Sequence, residues 1–238
     1  EHVIAADRAG IVREAHAEAG DTLWDGQMLF TLEPSEGEDE VKAADDEGDL
    51  DEIRPDLAEV LARRALNLDA NREPAVARRR KTGQRTVREN VEDLVDPGSF
   101  IEYGPLVIAA QRQRRGLEDL LTRSPADGLV TGVGRVNGER FGDPESRAAV
   151  MAYDYTVFAG TQGVHNHWKT DRLLDVAEQG RMPFVLFAEG GGGRPGESDY
   201  GGFVDQTTFS HFGKLSGLVP MIGIVSGRCF AGNASLLG

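Results

Sequence analysis

Apolar positions fall into successive regimes along the chain. Between Val3 and Leu32 they come as short runs: Val3-Ile4-Ala5, Ile11-Val12 after Gly10, then Met28-Leu29-Phe30-Thr31-Leu32 after Gly26-Gln27, with Gly20-Asp21 in between. Such spacing predicts small strands joined by tight turns. About thirty residues of this kind cannot close a core alone, so a preceding partner segment is expected. From Ser35 to Glu52 the chain is strongly acidic and nearly free of large apolar side chains, as in a solvated linker. Helical periodicity begins at Pro55, a favourable first helical position, with Leu57, Val60, Leu61, Ala65 and Leu68 on one stripe. Val87, Val91 and Leu94 predict a second, shorter helix that Asp96-Pro97-Gly98 ends, and the two helices are expected to pack as an arm.

From Gly128 onward strands and helices alternate. Strands are predicted near Leu129–Val136, Ala148–Tyr153, Pro183–Ala188 and Pro220–Ser226. Leu173, Leu174 and Ala177 precede the third at helical spacing, and Val204, Thr208, Phe212 and Leu215 precede the fourth. This pattern predicts an α/β layered domain.

Composition narrows the partners. A formal charge of −14 repels nucleic acid and anionic membranes at long range, so neither is expected as a partner. Cys229 is the single cysteine, which forbids an internal disulfide and fits a reducing, cytoplasmic location. No basic-then-apolar leader opens the chain, and the chain reads as an excerpt of a longer polypeptide.

Two small-residue loops could carry chemistry. After the third strand comes Glu189-Gly190-Gly191-Gly192-Gly193-Arg194-Pro195-Gly196, where backbone can approach a ligand unobstructed. Gly191, Gly193 and Gly196 match a dinucleotide pattern, but the next strand runs into Ser226-Gly227 and offers no acidic residue for a ribose hydroxyl. A flexible turn is the plainer reading of the run. After the fourth strand, Gly227-Arg228-Cys229-Phe230-Ala231-Gly232-Asn233-Ala234 is expected to form a second turn whose backbone amides could stabilise an oxyanion. Cys229 reads as a small buried hydrophobe rather than a nucleophile. His165 and His167 with Lys169 resemble a metal-binding H-x-H but lack a supporting carboxylate or third histidine, so a helix start or a substrate contact is the preferred reading and no metal is assigned. Arg78-Arg79-Arg80-Lys81 reads as a solvated turn, with a phosphate contact as the alternative.

The opening residues 1–12, with Glu18-Ala19-Gly20-Asp21 and Gly26-Gln27-Met28-Leu29, resemble the second half of biotinyl carrier domains. In that family the modified lysine sits in A-M-K-M, which would lie just before Glu1. Further on, Gly83-Gln84-Arg85-Thr86-Val87-Arg88-Glu89 and Asp96-Pro97-Gly98-Ser99-Phe100-Ile101-Glu102 resemble the carboxyltransferase signatures of biotin-dependent acyl-CoA carboxylases. Asp127 to Gly132 and Tyr153 to Thr161 follow in the same order, the glycine run is similar to that family's D-G-A-G-A-R loop, and residues 227–232 are similar to its G-x-C-A-G-G loop.

The resemblance implies a partial crotonase-like ββα superhelix, an α/β fold, preceded by a partial all-β biotinyl domain and a helical linker. Expected boundaries are 1–34 for the carrier half, 35–54 for the acidic linker, 55–83 for the helical linker and 84–238 for the front part of the carboxyltransferase. It implies transfer of a carboxyl group from carboxybiotin to the α-carbon of an acyl-CoA, through an enolate held by backbone amides. Ala231 and Gly232 become the candidate oxyanion pair, and Gly191, Gly192, Gly193, Arg194 and Phe230 the candidate contacts to substrate or biotin. Biotin, attached outside this chain, and a coenzyme A thioester are the implied cofactor and substrate. Implied partners are the carrier domain, a biotin carboxylase, and the C-terminal transferase half of another subunit in a homo-oligomer, without which the chain would be inactive. Alternatives are a biotin-dependent acyl-CoA decarboxylase or a non-catalytic carrier or assembly module; a plain crotonase-type hydratase lacks its glutamate pair. Ala231, Phe230 and Pro195 depart from the family pattern and leave acyl chain length open.

Overall fold

A computed structural model describes residues 10–18, 20–34, 51–200 and 207–238. The expected strand at Val3-Ile4-Ala5, most of the acidic linker and Val204 lie outside them. The chain divides into two compact units, Glu1–Glu52 and Ile53–Gly238. In the first, β1 (Gly10–Ala15) and β2 (Phe30–Pro34) pair antiparallel, and neither strand has a buried residue.

The second unit opens with α1 (Pro55–Ala65), whose Asp56 and Arg63/Arg64 sit at the ends the helix dipole favours. Its stripe does not form a core: Leu57, Val60 and Leu61 remain 44%, 39% and 43% exposed. A single-turn helix at Asp69–Asn71 leads to α2 (Glu73–Lys81), inside the expected helical linker but without an apolar stripe to mark it. Arg78-Arg79-Arg80-Lys81 is therefore the last turn of a helix, and Arg79 points inward, 5% exposed. The solvated-turn reading fails there because the arginine has a buried carboxylate to meet.

Next comes α3 (Val87–Leu94), where Thr86 Oγ1 accepts from the Glu89 amide and Glu89 Oε2 accepts from the Thr86 amide, a reciprocal cap. Then follow β3 (Ile101–Tyr103), α4 (Leu117–Arg123), β4 (Leu129–Arg135), the one-turn α5 (Gly138–Phe141), β5 (Arg147–Tyr153), α6 (Val164–Gly180), β6 (Phe184–Gly191), α7 (Thr208–Leu215), β7 (Met221–Phe230) and α8 (Ala231–Ser235). The segments Gly83–Glu89 and Asp96–Glu102 are largely architectural. Thr86 and Glu89 cap α3, Arg88 makes a two-point pair with Glu102 at 2.6 and 2.9 Å, and Asp96 accepts from the amides of Asn137 and Gly138.

The five strands of this unit form one sheet in the order β3-β4-β5-β6-β7, antiparallel across β3, β4 and β5 and parallel across β5, β6 and β7. Alternation along the strands sorts the core into two faces. Leu129, Met151, Tyr153, Phe184 and Leu186 face one way, against Leu173, Leu174 and Ala177 of α6 and Leu215 of α7. Val130, Val150, Ala152, Val185 and Phe187 face the other way, against Val87, Val91 and Val95. The fold is mixed α/β and layered, as the strand-helix alternation predicted, with helices packed on both faces of the sheet. Among the described residues no helix is long and apolar enough to cross a membrane.

Candidate functional site

The parallel strands β6 and β7 end side by side, with Gly190 opposite Cys229 and Gly191 opposite Phe230. This corrects the sequence reading in two places: Gly190 and Gly191 belong to a strand, and residues 227–230 continue β7 rather than forming a turn. The strands are long because their small residues let main chains close. A side chain at Gly191, whose φ is +142°, would overlap the Phe230 carbonyl oxygen. One at Gly190 would overlap the Ala159 carbonyl, so the left-handed turn Phe158-Ala159-Gly160 lies directly against the strand end.

Three backbone segments are knitted together there. The Gln162 amide donates to Gly192 O at 2.9 Å and the Arg194 amide to Gln162 O at 2.8 Å. Asn233, fully buried on α8, donates through Nδ2 to Gly160 O at 2.9 Å and Glu189 O at 2.7 Å. Two carbonyls from different loops are thereby satisfied by one side chain, which fixes the start of α8 against the glycine loop.

Ala231 and Gly232 are the first two residues of α8, and Ala231 sits at φ +50°. The first amides of a helix have no acceptor within the helix and carry its positive end. Ala231 Cβ lies 4.0 Å from where a Cβ at Gly192 would stand, so the two expected loops are brought together. Phe230 is half exposed at 51%. Gly193 has no atom within 4 Å of its missing side chain.

Arg194 turns inward instead of toward a ligand. Its side chain is 1% exposed, pairs with Asp127 Oδ1, and donates through Nη2 to Asp127 O at 3.1 Å and Thr161 O at 2.9 Å. Burial pushes the Asp127 carboxyl up and the Arg194 charge opposes it. The side chain anchors the loop from beneath.

A second anchor was missed in the sequence. Glu189, 3% exposed in its side chain, receives Arg79 at two points, Nη1 to Oε1 at 2.7 Å and Nη2 to Oε2 at 2.5 Å. Burial pushes its carboxyl up and the Arg79 hydrogen bonds pull it back. A parallel pair joins Arg72 Nη1 to Asp154 Oδ2 at 2.6 Å, just beyond the end of β5. Polar residues at the ends of otherwise apolar strands were the available signal for both carboxylates, and only their arginine partners were undetectable.

The remaining candidates separate. His165 and His167 lie two positions apart on α6 and point to different surroundings: His165 Nδ1 meets Ile108 O at 2.7 Å, and buried His167 Nδ1 meets Thr208 Oγ1 at 3.0 Å. No group of three or more histidine, cysteine, aspartate or glutamate side chains among the described residues could hold a metal. Cys229 is half-buried rather than fully buried and packs against the sheet core. Burial and then the Glu189 charge raise its thiol, which weakens it as a nucleophile.

Comparison with known proteins gives this geometry a context. The Carboxyl transferase domain family matches residues 78–236. The biotin-dependent long chain acyl-coenzyme A carboxylase beta4 subunit of Mycobacterium tuberculosis is 34% identical over 180 residues, 74% of this chain and 31% of that protein. The methylmalonyl-CoA carboxyltransferase 12S subunit of Propionibacterium freudenreichii subsp. shermanii is 35% identical over 172 residues, 68% of this chain and 29% of that protein. Among solved structures, a single-chain, multi-domain long-chain acyl-CoA carboxylase superposes with a TM-score of 0.74 at 48% identity, covering all of this chain and 22% of that one. A transcarboxylase 12S hexamer with hydrolysed methylmalonyl-coenzyme A bound gives 0.55 at 28% identity, covering 75% of this chain and 34% of that one. The chain thus spans about a third of the length of the curated relatives it matches.

Proposed function

From the premise that this chain belongs to the carboxyl transferase domain family, we propose that it forms part of a biotin-dependent acyl-CoA carboxylase, the part where a carboxyl group reaches the α-carbon of an acyl-CoA. The observation that carries the reading is the meeting of the glycine loop and the start of α8 at the ends of adjacent parallel strands. Ligands of open α/β sheets collect at such strand ends. The Ala231 and Gly232 amides would receive the thioester oxygen as it gains enolate charge, and the backbone at Gly192 and Gly193 would let the pantetheine or biotin ring approach, whereas Gly191, expected as a further contact, packs against the Phe230 carbonyl instead. Phe230 would supply an apolar wall.

Biotin fits this donor set because its reaction needs a dry, amide-lined cleft and no protein nucleophile. When bound as carboxybiotin it supplies the carboxyl group. The chain's own residues orient the thioester, hold the enolate oxygen and exclude water; Arg79, Glu189, Arg194, Asp127 and Asn233 keep the loops in place. The carrier-like segment 1–34 would belong to the domain that brings biotin, and residues 84–238 to a crotonase-like transferase half completed by the C-terminal half of another subunit. Partner biotin carboxylase activity and a homo-oligomeric assembly complete the proposal, in keeping with the hexamer named for the 12S relative.

The partial reaction tests it. Assembled with the C-terminal transferase half, the protein should move a carboxyl group from malonyl-CoA or methylmalonyl-CoA to free biotin, and should fix labelled bicarbonate into acyl-CoA when ATP, a biotin carboxylase and a biotinylated carrier are supplied. Failure of both reactions with every acyl chain length offered would defeat the proposal.

A further inference from the structure

A cavity of about 510 Å³ lies at the opposite edge of the five-stranded sheet from the strand ends described above, between β3, the loop after it and α6. Four strand spacings separate β3 from β7, on the order of 19 Å. The volume is in the range of small-molecule pockets. Its wall is apolar: Leu106, Val107, Ile108, Leu117 and the Trp168 ring.

Most polar groups of the wall, the Tyr103 hydroxyl excepted, are spoken for. His165 uses Nδ1 on Ile108 O at 2.7 Å and Nε2 on the Tyr200 hydroxyl at 3.2 Å. Thr131 Oγ1 donates to Tyr103 O at 2.9 Å, and Lys169 Nζ donates to Ala126 O at 2.8 Å and to Leu129 O. Apart from the Tyr103 hydroxyl, what remains is donor only. Arg112 and Arg172 line the cavity, and no acidic side chain among the described residues pairs with either guanidinium. Arg63 gives Nη2 to Leu106 O at 3.3 Å, while its buried Nε has no hydrogen-bond partner. Arginines without an acidic partner among the described residues, set around one apolar cavity, stand out in a chain of net charge −14.

We propose that this cavity binds an aliphatic carboxylate, its hydrocarbon tail between the β3 loop and Trp168 and its carboxylate between Arg112 and Arg172. The proposal is independent of the transferase reading, since none of its residues belongs to the candidate oxyanion site. Guanidinium groups suit a carboxylate because two parallel N–H donors match its two oxygens.

Calorimetric titration of the purified protein with decanoate, below its micelle concentration, tests this. One saturable site per chain is expected, with each methylene added between hexanoate and decanoate strengthening binding about fourfold. Decanol, with the same tail and no charge, should bind at least about tenfold more weakly. The double charge reversal Arg112→Glu with Arg172→Glu changes exposed side chains and should leave thermal unfolding unchanged. It should weaken decanoate by at least about tenfold and leave decanol alone. Absence of saturable decanoate binding, equal binding of decanol, insensitivity to the charge reversal, or equally tight binding of inorganic phosphate would each overturn the assignment.

Discussion

Arg79 and Glu189 stand 110 residues apart in sequence and meet as a buried two-point ion pair, clamping α2 to the end of β6 immediately before the glycine loop. Charge buried on both sides makes the pair sensitive to the loss of either member. Arg79→Met should leave the Glu189 carboxylate dry and uncompensated, at a cost of about 3–5 kcal/mol in urea unfolding. Adding Glu189→Leu to it should recover most of that loss, because the desolvation penalty disappears with the charge. If the double variant is as unstable as the single one, the pair is not what holds the helix.

Two glycines of one run, Gly191 at the end of β6 and Gly193 in the loop beyond it, should respond very differently to the same substitution. Gly191→Ala forces a Cβ into the Phe230 carbonyl at φ +142° and should destabilise the protein by at least about 2 kcal/mol. Gly193 has open space and an ordinary φ, so Gly193→Ala should change stability by less than about 0.5 kcal/mol. If the loop meets substrate through its backbone, the same variant should lower carboxyl transfer to free biotin several-fold. Thermal melts and the partial reaction, measured on both variants, separate packing from ligand approach.

The sheet was legible because β4, β5 and β6 are buried on both faces and so read as short, nearly continuous apolar runs between turns. α3 was legible from Val87 and Val91 at one helical spacing. α2 was not. Glu73 to Lys81 has no apolar stripe, and what holds it is Arg79 reaching a carboxylate that only the folded chain brings near. The stripe of α1 misled in the other direction, since periodicity shows that a helix has an apolar face without showing that anything covers it. At the candidate site the glycine run and the Phe230-Ala231-Gly232 segment could be identified from small residues at strand ends. The buried roles of Arg194 and Asn233 could not, because both depend on backbone carbonyls that sequence does not place.

Asn233 joins two loops through one amide group, and its replacement should show in turnover as well as in stability. Asn233→Ala leaves Gly160 O and Glu189 O buried without a donor, a cost of about 1–3 kcal/mol. With the start of α8 no longer tied to the glycine loop, kcat for carboxyl transfer should fall more than KM for the acyl-CoA rises. A change confined to KM would argue that Asn233 has no part in setting the amides.

Cys229 should be dispensable for chemistry. Its thiol is raised by burial and by the neighbouring Glu189 charge, so little thiolate is present at neutral pH. Alkylation by iodoacetamide should be slower than that of a free cysteine at pH 8, and Cys229→Ala should keep carboxyl transfer within about twofold. Loss of transfer in that variant, with its melting temperature unchanged, would restore the nucleophile reading.

Lys169 should write itself into the alkaline stability of the fold. Its ammonium group is buried under α6, donating to two main-chain oxygens, and burial lowers its pKa from the ordinary 10.5 to about 8. Below pH 8 both folded and unfolded chains carry the proton, and the folded chain bears the cost of a buried charge. Between pH 8 and 10.5 the unfolded chain keeps a proton that the folded chain has released, so folding is favoured progressively as pH rises. A shift of this size corresponds to about 3 kcal/mol across the window. Lys169→Met cannot titrate, and its lost hydrogen bonds cost the same at every pH. The wild-type protein should therefore gain stability relative to Lys169→Met between pH 7.5 and 10, read as a widening difference in urea midpoints. A difference that stays flat over that range would mean the lysine titrates as if exposed, and that the burial seen beside Leu129 does not persist in solution.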